Sequence, residues 1–288
     1  MNYFIAVGSV IFLAISIFLI WQNYLFFKKI MLLKKINSSP FPKEYEQYLK
    51  KIPHYKALPK ELKEKIKKKI LFFIYTKEFI GVKTEVTEEM KTVIAFYACL
   101  MVINFKNECF DNLKTILIYP YEVVTKSVME SGGIFKEGDF ILEGQSINDT
   151  IVIAWNDAKK EAYHLSSHNV IVHELAHVLD FEDGEADGVP PLPWSKYHKW
   201  TSTLFKRFKE LQERAYKNRD WGEYKIIGEY AATNEAEFFA VITELFFQKP
   251  RSLKKHFPDI YEELKEFYGI DTEKIFGNLE KEKISLFH

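Results

Sequence analysis

His173 and His177 stand four apart in "HNVIVHELAHVLDFEDGEADGVPPLP" (residues 168–193), and Glu174 directly follows the first of them. On a helix, residues i and i+4 share a face with about 6 Å between them. Both imidazoles can therefore aim at one point, with Glu174 beside it. This is the HExxH spacing of metal-dependent peptide hydrolysis: two neutral imidazoles hold Zn2+, and the glutamate accepts a proton from the attacking water. The bland alternative is a pair of core histidines satisfied by hydrogen bonds. With 8 His in 288 residues, the motif arises by chance on the order of a few hundredths of a time per chain. Val170, Ile171, Val172, Leu175, Ala176, Val178 and Leu179 make the surrounding helix apolar. Burying three ionisable groups there is costly unless a metal pairs them. His164 and His168 lack the spacing and read as polar or supporting residues.

Catalytic zinc takes three protein ligands and a water. A third histidine six residues past His177 is excluded, because that position is Asp183 and the next histidine is His198. The search moves to "GEYAATNEAEFFAVITELFF" (228–247), where Glu229, Glu235, Glu237 and Glu244 compete. A helix starting near Asn234 puts Phe238, Val241, Ile242 and Leu245 on a core stripe. Glu237 borders that stripe, Glu235 faces away, and Glu244 is the runner-up, seven residues on and near the same face. If Asn234 is the N-cap, however, Glu237 falls at N3 and could serve as a capping-box glutamate. Both readings stand on helix geometry alone. Asp180 lies on the ligand face, where it could orient an imidazole or bind a nearby backbone or basic group. The "DGEADGVPPLP" loop, with Gly184, Gly188 and three prolines, reads as a shaped polar loop at the border of a cleft.

The elements that must position these residues follow from periodicity. In "LPKELKEKIKKKILFFI" (58–74), Leu58, Leu62, Ile66 and Ile70 recur every four positions, a helix with one buried stripe. Its lysines, close to the N-terminal apolar run in sequence, could touch anionic headgroups, but a charge run of this kind reads first as the solvated face of a helix. Thr87 to Asn104 is a largely apolar, central helix. "LKTILIYP" (113–120) and "TIVIAW" (150–155), set off by polar, glycine-containing segments such as "KEGDF" and "EGQSIND", read as strands of a small sheet. From Asn169 on the pattern is helical again. That order predicts an α+β, mostly helical domain rather than alternating βαβ units.

Met1 to Phe27 contains no charged side chain, and Tyr3 to Trp21 is 19 residues of nearly unbroken apolar character. At helical rise this reaches roughly 28 Å, close to the thickness of a bilayer's hydrocarbon core. Trp21 and Tyr24 fall where an interfacial aromatic belt would lie, and Lys28, Lys29, Lys34 and Lys35 follow. No basic segment precedes the span and no small-residue cleavage site follows it, as a signal peptide requires. The expected division is a transmembrane anchor (1–27), a basic juxtamembrane segment and linker ending in "INSSPFP" (28–42), and a folded domain (43–288). The positive-inside rule puts that domain in the cytoplasm, on a bacterial inner membrane. Lys+Arg at 40 balances Asp+Glu at 40, so no global charge favours nucleic acid, although the charge is unevenly placed. The two cysteines, Cys99 and Cys109, are too few for a disulfide framework and read as reduced thiols.

"HNVIVHELAHVLDFEDGEADGVPPLP", "YAATNEAEFFAVITELFF" and "FPDIYEELKEFYG" together resemble the Mlc titration factor A, or M90, family of zinc peptidases. Weaker similarity extends through "EMKTVIAFYACLMVIN", "ILIYP" and "GDFILEGQSINDTIVIAW". The resemblance implies a zincin-like catalytic domain similar to that of anthrax lethal factor. It implies Zn2+ held by His173, His177 and Glu237, with Glu174 as general base and Tyr230 donating to the oxyanion. Peptide or protein is the implied substrate, with aminopeptidase and endopeptidase action both open. The family name also implies a second role, a binding module that sequesters a transcription repressor. The N-terminal span departs from the soluble members of the family.

Overall fold

The structure, a computed structural model, describes residues 2–105, 110–121, 149–217 and 221–285. Cys109, "KEGDF" and all but the last residue of "EGQSIND" lie outside the described residues. Two compact units divide the chain, Met1–Phe41 and Pro42–His288.

The first unit is one helix, α1 (Asn2–Ser38), long and apolar enough to cross a membrane. Large side chains such as Phe12, Phe18, Trp21 and Phe27 are exposed along it. Ile36 to Ser38, expected in the linker, are helical instead. Nothing in that tripeptide breaks a helix, and Ser38 Oγ bonds back to the Lys35 carbonyl at 3.1 Å. The break comes from Pro40, which disfavours helical geometry in the residue before it.

The second unit runs α2 (Lys43–Leu49), α3 (Pro53–Ala57), α4 (Lys60–Thr76), β1 (Glu78–Gly81), α5 (Glu88–Met101), β2 (Thr115–Tyr119) and β3 (Thr150–Ala154). It continues with α6 (Trp155–Tyr163), α7 (Val170–Asp180), α8 (Trp194–Tyr216) and α9 (Glu235–Gln248). Last come α10 (Pro250–His256), α11 (Pro258–Tyr268) and α12 (Thr272–Ser285). Thr87 caps α5 by accepting the Met90 amide at 3.2 Å, and from Thr92 to Met101 that helix is buried on every side. Ile66 and Ile70 of α4 are buried, as their spacing predicts, whereas Leu62 is half-buried.

The mostly helical α+β composition is as expected, but the sheet's connectivity is not. β1, β2 and β3 pair in parallel in that order, with Glu78 opposite Thr115 and Thr115 opposite Thr150. Because α5 joins two parallel neighbours, β1–α5–β2 is one βαβ unit, in a domain expected to lack alternating βαβ units. The missed element is β1, "EFIG", four residues with no alternating pattern and one end exposed. Parallel pairing needs a crossover, and α5 supplies it. Ile116, Ile118, Ile151 and Ile153 of β2 and β3 are all buried, as β-branched residues on a covered sheet should be.

α7 packs against β3 on one side and α9 on another. Phe238 through Gln248 are all buried, with Phe239 edge-on to Trp200 of α8 and Phe246 stacked on Tyr268 of α11. Truncating one such phenylalanine to alanine costs about 3–5 kcal/mol. These contacts fix α9 against α8 and α11.

Candidate metal centre

The register of α7 is set at its first turn by three side chains. Asn169 Oδ1 accepts the Val172 amide at 3.1 Å as N-cap. Glu161, from α6, accepts the Val170 amide at 2.7 Å, and Glu244, from α9, accepts the Asn169 amide at 2.6 Å. The donors lacking helical partners are thus taken by oxygens, two of them negatively charged, where a helix N-terminus favours them. Glu161 was not anticipated: a glutamate in a polar helix gives no signal that it reaches the next one.

At the other end Asp180 Oδ2 accepts the Gly188 amide at 3.0 Å. Among the described residues no hydrogen bond joins Asp180 to an imidazole, so Asp180 holds the loop rather than a ligand. Trp200 Nε1 donates to the Gly188 carbonyl at 3.1 Å. Gly188 has φ +78°, and a Cβ there would sit 2.7 Å from the Glu235 carbonyl oxygen. Only glycine therefore lets α7, α8 and α9 close on this point.

Between these fixed ends, His173 and His177 face α9. Their Nε2 atoms are 3.1 Å apart, and Glu237 Oε2 lies 3.1 Å from the first and 3.6 Å from the second. Glu237 Oε2 is buried yet makes no hydrogen bond of good geometry. Three potential ligand atoms thus converge, the two imidazole nitrogens within hydrogen-bond distance of each other and the carboxylate oxygen without a hydrogen bond. A tetrahedral shell with Zn–N and Zn–O near 2.0–2.1 Å puts its donor atoms about 3.3–3.4 Å apart, so the donor set and its spacing fit such an ion. These three residues are the only His/Cys/Asp/Glu group of this kind among the described residues.

The rival capping-box role needs the Glu237 carboxylate to accept the Asn234 amide, and the carboxylate lies against the imidazoles instead. Asn234 Oδ1 accepts the Glu237 amide at 2.8 Å as N-cap of α9, while the Glu237 carboxylate points at the imidazoles. Of the other candidates, Glu235 backs onto Gly188 and Glu229 is exposed. Glu244 Oε1 sits 2.8 Å from His173 Nδ1, on the side of the ring away from Glu237. It thereby leaves Nε2 as the free donor atom. His168 Nδ1 stands 3.8 Å from the same carboxylate on an exposed side chain, and His164 is exposed.

Burial works against charge on His173, but the Glu237 and Glu244 carboxylates outweigh it and lift its pKa to about 10. Burial likewise works against Glu237, yet the two imidazoles hold it well below the usual carboxylate range. The cluster therefore favours a positive charge at its centre. Burial also raises Glu174 above its ordinary value, the nearby imidazoles working the other way. Tyr230 is half exposed in a short 3-10 turn (Tyr230–Ala232), its ring 6.2 Å from that of His173. Burial and the charge of Glu237 push its hydroxyl above the usual phenol range, so it keeps its proton.

Residues 27–269 match the family described as glucose-regulated metallo-peptidase M90. The chain belongs to the M90 family. Among its relatives, an uncharacterized protein of Synechocystis sp. is 31% identical over 245 residues, spanning 83% of this chain and 88% of the relative. Mlc titration factor A of Serratia proteamaculans is 33% identical, over 64% of this chain and 71% of its own length. The Escherichia fergusonii protein of that name is 30% identical, over 68% and 75%. M90 membership makes a metallopeptidase the family expectation and implies a metal, for which His173, His177 and Glu237 are the available donors.

Proposed function

We propose that this chain is a membrane-anchored zinc peptidase whose metal is held by His173, His177 and Glu237. The observation that carries the reading is the convergence of two α7 imidazoles and one α9 carboxylate at the donor spacing of a tetrahedral ion. Bound there, zinc would polarise a peptide carbonyl and acidify water.

The protein's own groups do the rest. Glu174, next to the first ligand and raised in pKa by burial, takes the proton of the attacking water and passes it to the leaving amine. Tyr230 donates its hydroxyl to the oxyanion as the carbonyl becomes tetrahedral. Glu244 holds the His173 ring with Nε2 facing the cluster. A zincin-like fold, as in anthrax lethal factor, fits a motif helix packed against both a small sheet and the helix of the third ligand.

α1 would serve as the anchor, with Lys28, Lys29, Lys34 and Lys35 on the cytoplasmic side of a bacterial inner membrane. The substrate would then be a peptide or cytoplasmic protein. A second reading rests on the relatives named Mlc titration factor A: the domain would also bind and sequester a transcription repressor or another cytoplasmic partner. The two are separated by metal analysis and a peptide-library digest with the full chain in detergent. One zinc per chain with cleavage that a chelator abolishes supports the peptidase. Stoichiometric zinc without any cleavage favours the binder.

A further inference from the structure

Charge is segregated along this chain. Residues 28–77 carry 15 lysines and 4 glutamates, whereas all the rest carries 25 basic against 36 acidic residues. The zero total hides two opposite parts, a pattern associated with anionic surfaces.

The folded domain gathers its share of these lysines on three adjoining helices. Lys67 of α4 pairs with Glu46 of α2 at 3.0 Å, and Lys63 of α4 donates to the Lys56 carbonyl of α3 at 2.9 Å. Lys43, Lys50, Lys56, Lys60 and Lys68 are exposed and make no ion pair among the described residues. The acidic residues of the same stretch offset fewer than half of them: residues 43–76 carry 10 lysines against 4 glutamates, two of which, Glu46 and Glu64, share Lys67. Ile66, Ile70, Leu71 and Phe73 fix the opposite face of α4 in the core, so the lysines cannot turn inward.

Only residues 39–42 separate α1 from α2. The basic helices are therefore the part of the domain nearest the apolar span along the chain. An anionic leaflet attracts basic side chains within a Debye length of its surface, about 8 Å at physiological salt.

We propose that the lysine surface of α2, α3 and α4 docks on anionic phospholipid headgroups of the membrane that α1 crosses, turning the acidic remainder of the domain away. The docking rests on the reading of α1 as a span with the domain on its lysine side. Of the anions a lysine surface could bind, the headgroups are the ones the anchor holds permanently at hand.

The test uses the full chain in lipid nanodiscs of phosphatidylcholine, with or without phosphatidylglycerol. Acetylation of single lysines is read by mass spectrometry. Lys50, Lys56, Lys60 and Lys68 should react several-fold more slowly with phosphatidylglycerol present, and the protection should vanish in high salt. Lys206 and Lys225, outside the basic segment, should not change. Replacing the four lysines by Gln should lower the docking equilibrium constant by about fivefold per lysine, read as the loss of protection at Lys43 and Lys63. Equal reactivity in both discs, with the chain still in them, overturns the docking and leaves the anchor intact. Release of the native chain from membranes by alkaline carbonate overturns the anchor and this docking together. Protection by added RNA but not by phosphatidylglycerol overturns the lipid assignment in favour of nucleic acid.

Discussion

Glu244 stands 2.8 Å from His173 Nδ1 through one carboxylate oxygen, and through the other it accepts the Asn169 amide at 2.6 Å. A single side chain on α9 thus sets both the ring orientation of His173 and the first turn of α7. Such partners commonly contribute 10- to 100-fold to metal affinity. Glu244→Ala is therefore expected to weaken zinc binding by about 10- to 100-fold without abolishing it. Gln retains one acceptor oxygen and should fall between. Competition with a chromogenic chelator gives the affinities, and a Glu244→Ala protein of native affinity would show the contact to be idle.

Glu237 and Asn234 separate ligation from capping. Glu237→Ala leaves two imidazoles at the cluster and should lose stoichiometric zinc. Asn234→Ala removes the cap seen on the Glu237 amide and should cost roughly 1 kcal/mol of stability with zinc content unchanged. Metal analysis beside thermal unfolding of both variants decides the matter. The opposite pattern would return Glu237 to the capping role.

Glu174→Gln should keep one zinc and lose hydrolysis, because the base is not a ligand. Tyr230→Phe should keep zinc and lose something like a hundredfold in kcat, the usual cost of one oxyanion donor. Full turnover by the Gln variant would be fatal to the mechanism.

Asp180 is fully buried, and burial raises its carboxyl pKa to about 7 even though the Gly188 amide favours the charged form. The folded state thus holds a proton that the unfolded chain releases near pH 4. Between about pH 4 and pH 7 the unfolded state binds fewer protons, so this group's contribution to stability falls as pH rises and levels off above 7. Asp180→Asn keeps an acceptor for Gly188 and removes that slope. Unfolding in denaturant across this range should show the wild type losing ground to the Asn variant as pH rises. Parallel curves would contradict the shift.

α1 predicts retention in membranes through a high-salt wash, since an apolar span rather than lysines does the anchoring. A reporter joined after His288 should be active in the cytoplasm. Periplasmic activity of that fusion would reverse the topology.

The sequence by itself determined whatever depends on neighbours within one or two helical turns. His173 and His177 share a face because a helix returns after four residues, Asn234 caps because a short polar side chain reaches the amide three residues on, and α1 is legible from uninterrupted apolar character. The same reading preferred Glu237 to Glu244 on α9 but could not decide whether Glu237 ligates or caps. Its amphipathic argument assumed one core stripe, whereas Phe238 through Gln248 are buried on all sides, so no face is marked by polarity. Only the packing of α7 against α9 brings the Glu237 carboxylate to both imidazoles and turns Glu244 into the partner of one. β1 escaped for a related reason. Four residues carry too short a pattern to declare a strand, and its parallel pairing with β2 depends on the crossover through α5. Contacts between segments distant along the chain leave little trace in local periodicity, and those contacts are what assemble this site.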